Sequence, residues 1–169
     1  MQDVVTVRPV ERSDAGAIAD MIRALGRAIG EEHKVTSRAT DFARHGFGPR
    51  PAFHGLLAER AGAPVGLALW CYVFSSWRGE PGAYLQDLYV AESERGTGLG
   101  RRLLAAVAAG ARADGANHLR LSVATDNEPA RAFYAHTGST YRDDECIYQV
   151  ADADFTALAA AHDSRDDAR

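Results

Sequence analysis

The sequence predicts an α+β domain built on one mixed sheet, and three observations carry that expectation. Strand-like runs crowd the middle of the chain, from His54 to Val90, as an antiparallel meander. The hydrophobic period then lengthens from two residues to about 3.6 at Leu99. From there helix and strand candidates alternate, which allows a parallel pair of strands.

Taken in order, Val4 to Val7 reads as a first strand that ends at Pro9. Ser13 or Asp14 is placed to cap a helix with Ile18, Met21, Ile22, Leu25 and Ile29 at helical spacing, and Gly30 is its stop. A second helix is expected from about Thr36 to Gly46, followed by a loop through Gly46-Phe47-Gly48-Pro49-Arg50-Pro51. His54 to Arg60, Val65 to Trp77 and Ala83 to Val90 are strands, separated by turns at 61–64 and 79–82. Leu99, Leu103 and Val107 form one stripe of a helix from about Gly98 to Asp114. Leu119 to Val123 is a short strand, Pro129 to about His136 a helix ended by Gly138, and Glu145 to Val150 a closing strand. One domain is expected over residues 1–161, with a charged tail over 162–169.

Bulk properties exclude several classes. A chain of 169 residues, 46% hydrophobic and 25% charged, has the makeup of an ordinary globular protein. Its formal net charge of -4 argues against nucleic acid as partner and is compatible with a cationic substrate. No apolar run is long enough to cross a membrane, and no signal-peptide pattern opens the chain, so a cytoplasmic location is expected. Cys71 and Cys146 lie in no metal spacing and read as reduced thiols; no metal is expected. Lys34 is the only lysine among 19 basic residues, a bias of GC-rich bacterial genomes.

The chemistry concentrates at Arg95-Gly96-Thr97-Gly98-Leu99-Gly100, after a strand and at the start of a helix. Glycine lets the backbone take positive φ and approach a ligand closely. Free N–H groups and the macrodipole at a helix N-terminus favour phosphate, and Arg95, Arg101 and Arg102 add positive charge. A pyrophosphate fits. The dinucleotide fingerprint fails because Arg101 stands where the third glycine belongs, and the Gly-x-x-x-x-Gly-Lys loop of nucleoside triphosphate sites is absent.

Arg95-x-x-Gly98-x-Gly100 resembles the pyrophosphate-binding motif of the GCN5-related N-acetyltransferases (GNAT). Asn127-Glu128-Pro129-Ala130-Arg131-Ala132-Phe133-Tyr134, about thirty residues on, is similar to the other landmark of that family. Up to about residue 150 the chain resembles the diamine (spermidine/spermine) acetyltransferase branch. Arg8-Pro9, Gly46-Phe47-Gly48, Trp77 and Tyr84-Leu85-Gln86-Asp87-Leu88-Tyr89-Val90 carry that likeness.

The resemblance implies the GNAT fold, with a mostly antiparallel six- or seven-stranded sheet and about four helices. It implies acetyl-CoA as co-substrate, held by Leu88, Tyr89, Val90, Arg95, Gly96, Thr97, Gly98, Leu99, Gly100, Arg101, Val123, Asn127, Ala130, Phe133 and Tyr134. It implies a bulge in the strand carrying Leu88-Tyr89-Val90, and a homodimer. A primary amine of a small molecule would attack the thioester directly, and Tyr134 would protonate the departing thiolate. Asp87 leads the candidates for the base, ahead of Glu31, Glu32 and Glu92. Glu31, Glu32, Trp77, Gln86 and Asp87 would meet the acceptor.

Two departures stand out. The branch has Glu where this chain has the uncharged Gln86, and its Tyr-Glu pair falls on Ala28-Ile29. An acceptor other than spermidine or spermine is therefore expected. A protein or peptide acetyltransferase and a catalytically weak acyl-CoA-binding sensor are the alternative readings.

Overall fold

In the computed structural model, which describes residues 4–163, five strands form one sheet in the order β1-β2-β3-β4-β5. They are β1 (Thr6–Pro9), β2 (His54–Arg60), β3 (Ala63–Ser75), β4 (Glu80–Val90) and β5 (Leu119–Leu121). The first four are antiparallel neighbours, and β5 joins β4 in parallel. The helices are α1 (Ala15–Ala28), α2 (Ala39–His45), α3 (Leu99–Ala113), α4 (Glu128–His136) and α5 (Asp152–Asp163). The chain divides after Ala132 into two compact units.

The first unit holds the sheet. Strand side chains alternate between faces. Leu57, Leu67 and Leu69 project on one face, where they bury Ile18 and Met21 of α1. Gly66 lies on the other, where an added Cβ would meet Leu103 of α3 at 3.0 Å. Apolar stripes on α1 and α3 thus cover opposite faces. The second unit holds the last turn of α4, residues 137–151 and α5.

Asp14 precedes α1 as expected, but its carboxylate does not cap that helix. It accepts the Glu11 N–H at 2.6 Å and a two-point contact from Arg8, whose guanidinium also reaches Glu59. The 79–82 turn is displaced, since β4 already begins at Glu80 and residues 76–79 make the reversal.

The closing strand expected over Glu145–Val150 does not form, so the sheet has five strands among the described residues. Arg142 gathers Asp144 at 2.8 Å and Glu145 at 3.7 Å in a local turn, and Ile147 and Tyr148 are exposed. The segment has β-branched and aromatic residues but enters no ladder, and a ladder is what defines a strand. A fifth helix adds to the about four expected, over Asp152–Asp163. It runs through Asp163, and residues 164–169 of the expected tail lie outside the described residues.

Leu67 is fully buried between β2, β4 and α1. Leu67→Ala is expected to destabilise the protein by about 2–5 kcal/mol in urea unfolding. Phe74→Ala, at an exposed position of β3, should cost less than about 0.5 kcal/mol. Equal costs at the two positions would contradict this placement of the core.

Candidate active site

The site is organised by one irregularity in β4. Leu69 pairs with Asp87, yet the next residue of β3, Trp70, pairs with Leu85. Gln86 is therefore an extra residue, a β-bulge, and it is exposed. The bulge lies in β4 as expected, just before Leu88-Tyr89-Val90. Without it, Leu85 and Asp87 would share a face. With it, Leu85 stays on the α3 side while Asp87 and Tyr89 turn to the α1 side, where Tyr89 packs on the apolar core.

This places a carboxylate opposite Leu69 on an apolar face. Asp87 has no hydrogen-bond or ion-pair partner among the described residues, and burial raises its pKa from 3.8 to about 6. Desolvation alone disfavours the charged form here.

Beyond the bulge, the edge of β4 is open. Strand β5 pairs with β4 only at Ala83, Tyr84 and Leu85. The backbone from Asp87 to Val90 therefore has no ladder partner on that side, and it leads into the glycine loop.

The loop is anchored from beneath. Glu94 is buried, and Arg60 of β2 grips both its oxygens, at 2.6 and 2.8 Å. That two-point contact holds its carboxyl below the usual range. The Glu94 carbonyl accepts the Thr97 hydroxyl at 2.7 Å. Gly96 and Gly98 then take φ of 77° and 87°, where a Cβ is strained. Gly98 is the residue before α3, no side chain caps the helix, and Arg102 N–H closes its first turn on the Gly98 carbonyl at 3.0 Å. The first-turn N–H groups before it have no intrahelical partners. An exposed, left-handed glycine loop running into uncapped amides fits a pyrophosphate.

The arginines divide. Arg95 donates to the Val90 carbonyl at 3.3 Å, and Arg101 is exposed on the first turn of α3. Arg102 is diverted to the Val5 carbonyl at 2.7 Å.

The other expected site residues sit on other elements. Glu31 is paired with Lys34, which lowers its pKa, and Glu32 is paired with Arg27 at 2.9 Å. Trp77 is fully exposed in the β3–β4 turn. Six residue steps along β3 separate the Asp87 partner Leu69 from Ser75 at that turn, about 20 Å at strand rise. Glu92 lies exposed in a short 3-10 turn after β4. Val123 is half-buried after β5. Asn127 caps α4, its side-chain oxygen accepting the Ala130 N–H at 3.1 Å. In the second unit, the rings of Phe133 and Tyr134 meet edge to face at 5.0 Å, and both are half-buried.

Sequence reading assigned no role to Arg60 and Glu94, to Arg120, or to Tyr84, whose hydroxyl donates to Ser122 at 2.7 Å. Only Tyr84 carried a signal, as a polar-tipped ring two residues before the bulge.

The family model for the acetyltransferase (GNAT) family matches residues 19–138. The chain belongs to that family. It is an N-acetyltransferase, and the co-substrate of the family is acetyl-CoA. A mouse thialysine N-epsilon-acetyltransferase is 34% identical over 141 residues, 79% of this chain and 82% of its own. A human spermidine/spermine N(1)-acetyltransferase-like protein 1 is 27% identical over 144 residues, 81% of this chain and 21% of its own. These relatives match the diamine acetyltransferase-like branch. A solved Vibrio cholerae integron cassette protein shares the fold, with a TM-score of 0.76 at 21% identity, covering 92% of this chain and 97% of that one.

Because the folded state holds the Asp87 proton more tightly than the unfolded chain, its contribution to stability is full below about pH 4. It is lost as pH rises through about 6. Asp87→Asn stays neutral throughout. It should match the parent near pH 4 and exceed it at pH 8 by on the order of 1–3 kcal/mol. Urea unfolding at both pH values checks this, and parallel pH profiles for the two proteins would refute it.

Proposed function

We propose that this acetyltransferase moves the acetyl group of acetyl-CoA to a primary amine of a small molecule, by direct attack in a ternary complex. The observation that carries the reading is the half-buried Asp87, unpaired among the described residues, on the open edge of β4, a few residues before the glycine loop.

The roles follow from the residues. The loop from Arg95 to Arg101, with the amides that open α3, receives the pyrophosphate. The free β4 backbone from Asp87 to Val90 pairs with the amide-bearing arm of the co-substrate, and an N–H there polarises the thioester carbonyl. Asp87, with a pKa of about 6, is ionised at neutral pH and takes the proton of the substrate ammonium. Attack on the carbonyl carbon forms the amide and expels the thiolate. The Tyr134 hydroxyl gives a proton to the sulfur. Val123, Asn127, Ala130 and Phe133 are assigned to the co-substrate, and Gln86 to the acceptor, by the family resemblance. The mouse thialysine acetyltransferase, similar over most of its length, supports a small-molecule amine as acceptor.

The same reading covers the setting. No helix of the described residues is long and apolar enough to cross a membrane. The Arg-rich composition supports a bacterial enzyme, and a cytoplasmic location is part of the same proposal. Tyr72, Phe74 and Trp77 are exposed along β3 and its turn, and a second copy of the chain in a homodimer would cover them.

Thiol release from acetyl-CoA across an amine panel tests the activity. Tyr134→Phe is expected to lower kcat by about 10²–10⁴-fold. An unchanged kcat, with chemistry rate-limiting, would remove Tyr134 from this role. The parent kcat/KM should rise as pH passes about 6, and Asp87→Asn should abolish that limb. A limb that persists in Asp87→Asn assigns the base elsewhere.

A further inference from the structure

Strands β4 and β5 part at one point, and a side-chain hydrogen bond sits at the parting. Their parallel ladder runs through Ala83↔Leu119, Tyr84↔Arg120 and Leu85↔Leu121, and ends there. The next residue of β4 is the bulge, Gln86. The next residue after β5 is Ser122, which is exposed. Tyr84, still inside the ladder, reaches diagonally past its partner Arg120 and donates its hydroxyl to the Ser122 oxygen at 2.7 Å. A diagonal neighbour is within reach of an aromatic side chain. The first residue beyond the ladder is thus tied back to β4 through a ring.

The tie lies on the face that carries Asp87. Tyr84 pairs with Cys71 and Asp87 with Leu69, two residues apart on β3, so both β4 side chains share the α1 side. Arg120 stands opposite Tyr84 in the parallel register and faces the same way. Ser122 joins them by accepting the Tyr84 hydroxyl.

The chain beyond the parting has a narrow requirement to meet. An extended arm that pairs with the free β4 edge lies about 4.8 Å from it, so the chain after β5 must stand about twice that distance from β4 to leave it room. A chain that closed on β4 would fill the slot. A chain that swung away would widen it and leave the arm held on one side only. The bulge interrupts the ladder and so opposes closing. The Tyr84–Ser122 bond opposes swinging away, and it acts where the two segments diverge, so a small change of angle there becomes a larger displacement further out.

We propose that Tyr84 and Ser122 pin the fork between β4 and the chain after β5, and that they are positioning residues for the arm of acetyl-CoA. Tyr84 acts through Ser122 and not on the reacting atoms. The inference rests on the reading that the arm lies along Asp87–Val90. The glycine loop is anchored separately, by Arg60 and Glu94, so loss of the pin should leave pyrophosphate binding alone.

Equilibrium binding of two ligands separates the arm from the loop: acetyl-CoA, which has both parts, and ADP, which has the pyrophosphate and no arm. Tyr84→Phe and Ser122→Ala should each weaken acetyl-CoA binding by about three- to tenfold, the worth of one hydrogen bond, and leave ADP within about twofold of the parent. The double variant should bind acetyl-CoA no more weakly than either single one, because the two hydroxyls make one bond. Ser122→Thr keeps the hydroxyl and should hold the parent affinity. Ser122 is exposed, where substitution costs little, so its variants carry the test if Tyr84→Phe fails to fold. Equal losses for acetyl-CoA and ADP would mark a structural defect and overturn the proposal. Unchanged acetyl-CoA affinity in both single variants would overturn it too, as would losses that add in the double variant. A parent that binds acetyl-CoA no more tightly than ADP defeats the reading that the arm lies on β4, and the inference falls with it.

Discussion

The bulge at Gln86 is the constraint on which the rest of the site depends. A regular β4 would place Asp87 beside Leu85, on the side covered by α3. One inserted residue reverses the alternation, so a carboxylate enters a face otherwise given to Leu57, Leu67, Leu69 and Tyr89. The raised pKa of Asp87 follows from that placement, since desolvation is its only cause. A bulge also sharpens local twist. Strand β5 keeps pace with β4 up to Leu85 and no further, which leaves the Asp87–Val90 edge free. A titratable group, an open backbone edge and the approach to the glycine loop thus share one local cause.

The loop itself is a different kind of device. Its glycines permit the left-handed backbone, but they do not fix it in space. The fixing comes from Arg60, which reaches from the end of β2 to clamp buried Glu94. From there the Thr97 hydroxyl and the first turn of α3 are set by short backbone contacts. A glycine-rich sequence becomes a preorganised one because an ion pair of the scaffold holds the residue before it.

Much of the fold was legible from periodicity. Strand β2 and helices α3 and α4 fall within a residue or two of expectation, because each is bounded by Gly, Pro or a capping residue and carries a clean apolar period. The closing strand was misread because Ile147, Tyr148 and Val150 have strand propensity, while the ladder that makes a strand is a tertiary property. The site divides in the same way. The glycine loop and the Asn127–Tyr134 segment are contiguous, so their residue order carries their chemistry. Arg120 and Ser122 belong to the Asp87 face only through a parallel pairing between segments about thirty-five residues apart. Glu31 and Glu32 read as free carboxylates, but each has a basic partner within five residues.

By itself, the sequence determined the family. Its glycine loop is a local object, built from consecutive residues and from glycines that take positive φ. It also determined the helices that flank the sheet, since amphipathic period and caps are local too. The tertiary structure alone decided which face Asp87 occupies, why its proton is held to about pH 6, and which charges stand beside it. Those properties arise from strand register and burial, which bring together groups that the chain keeps far apart.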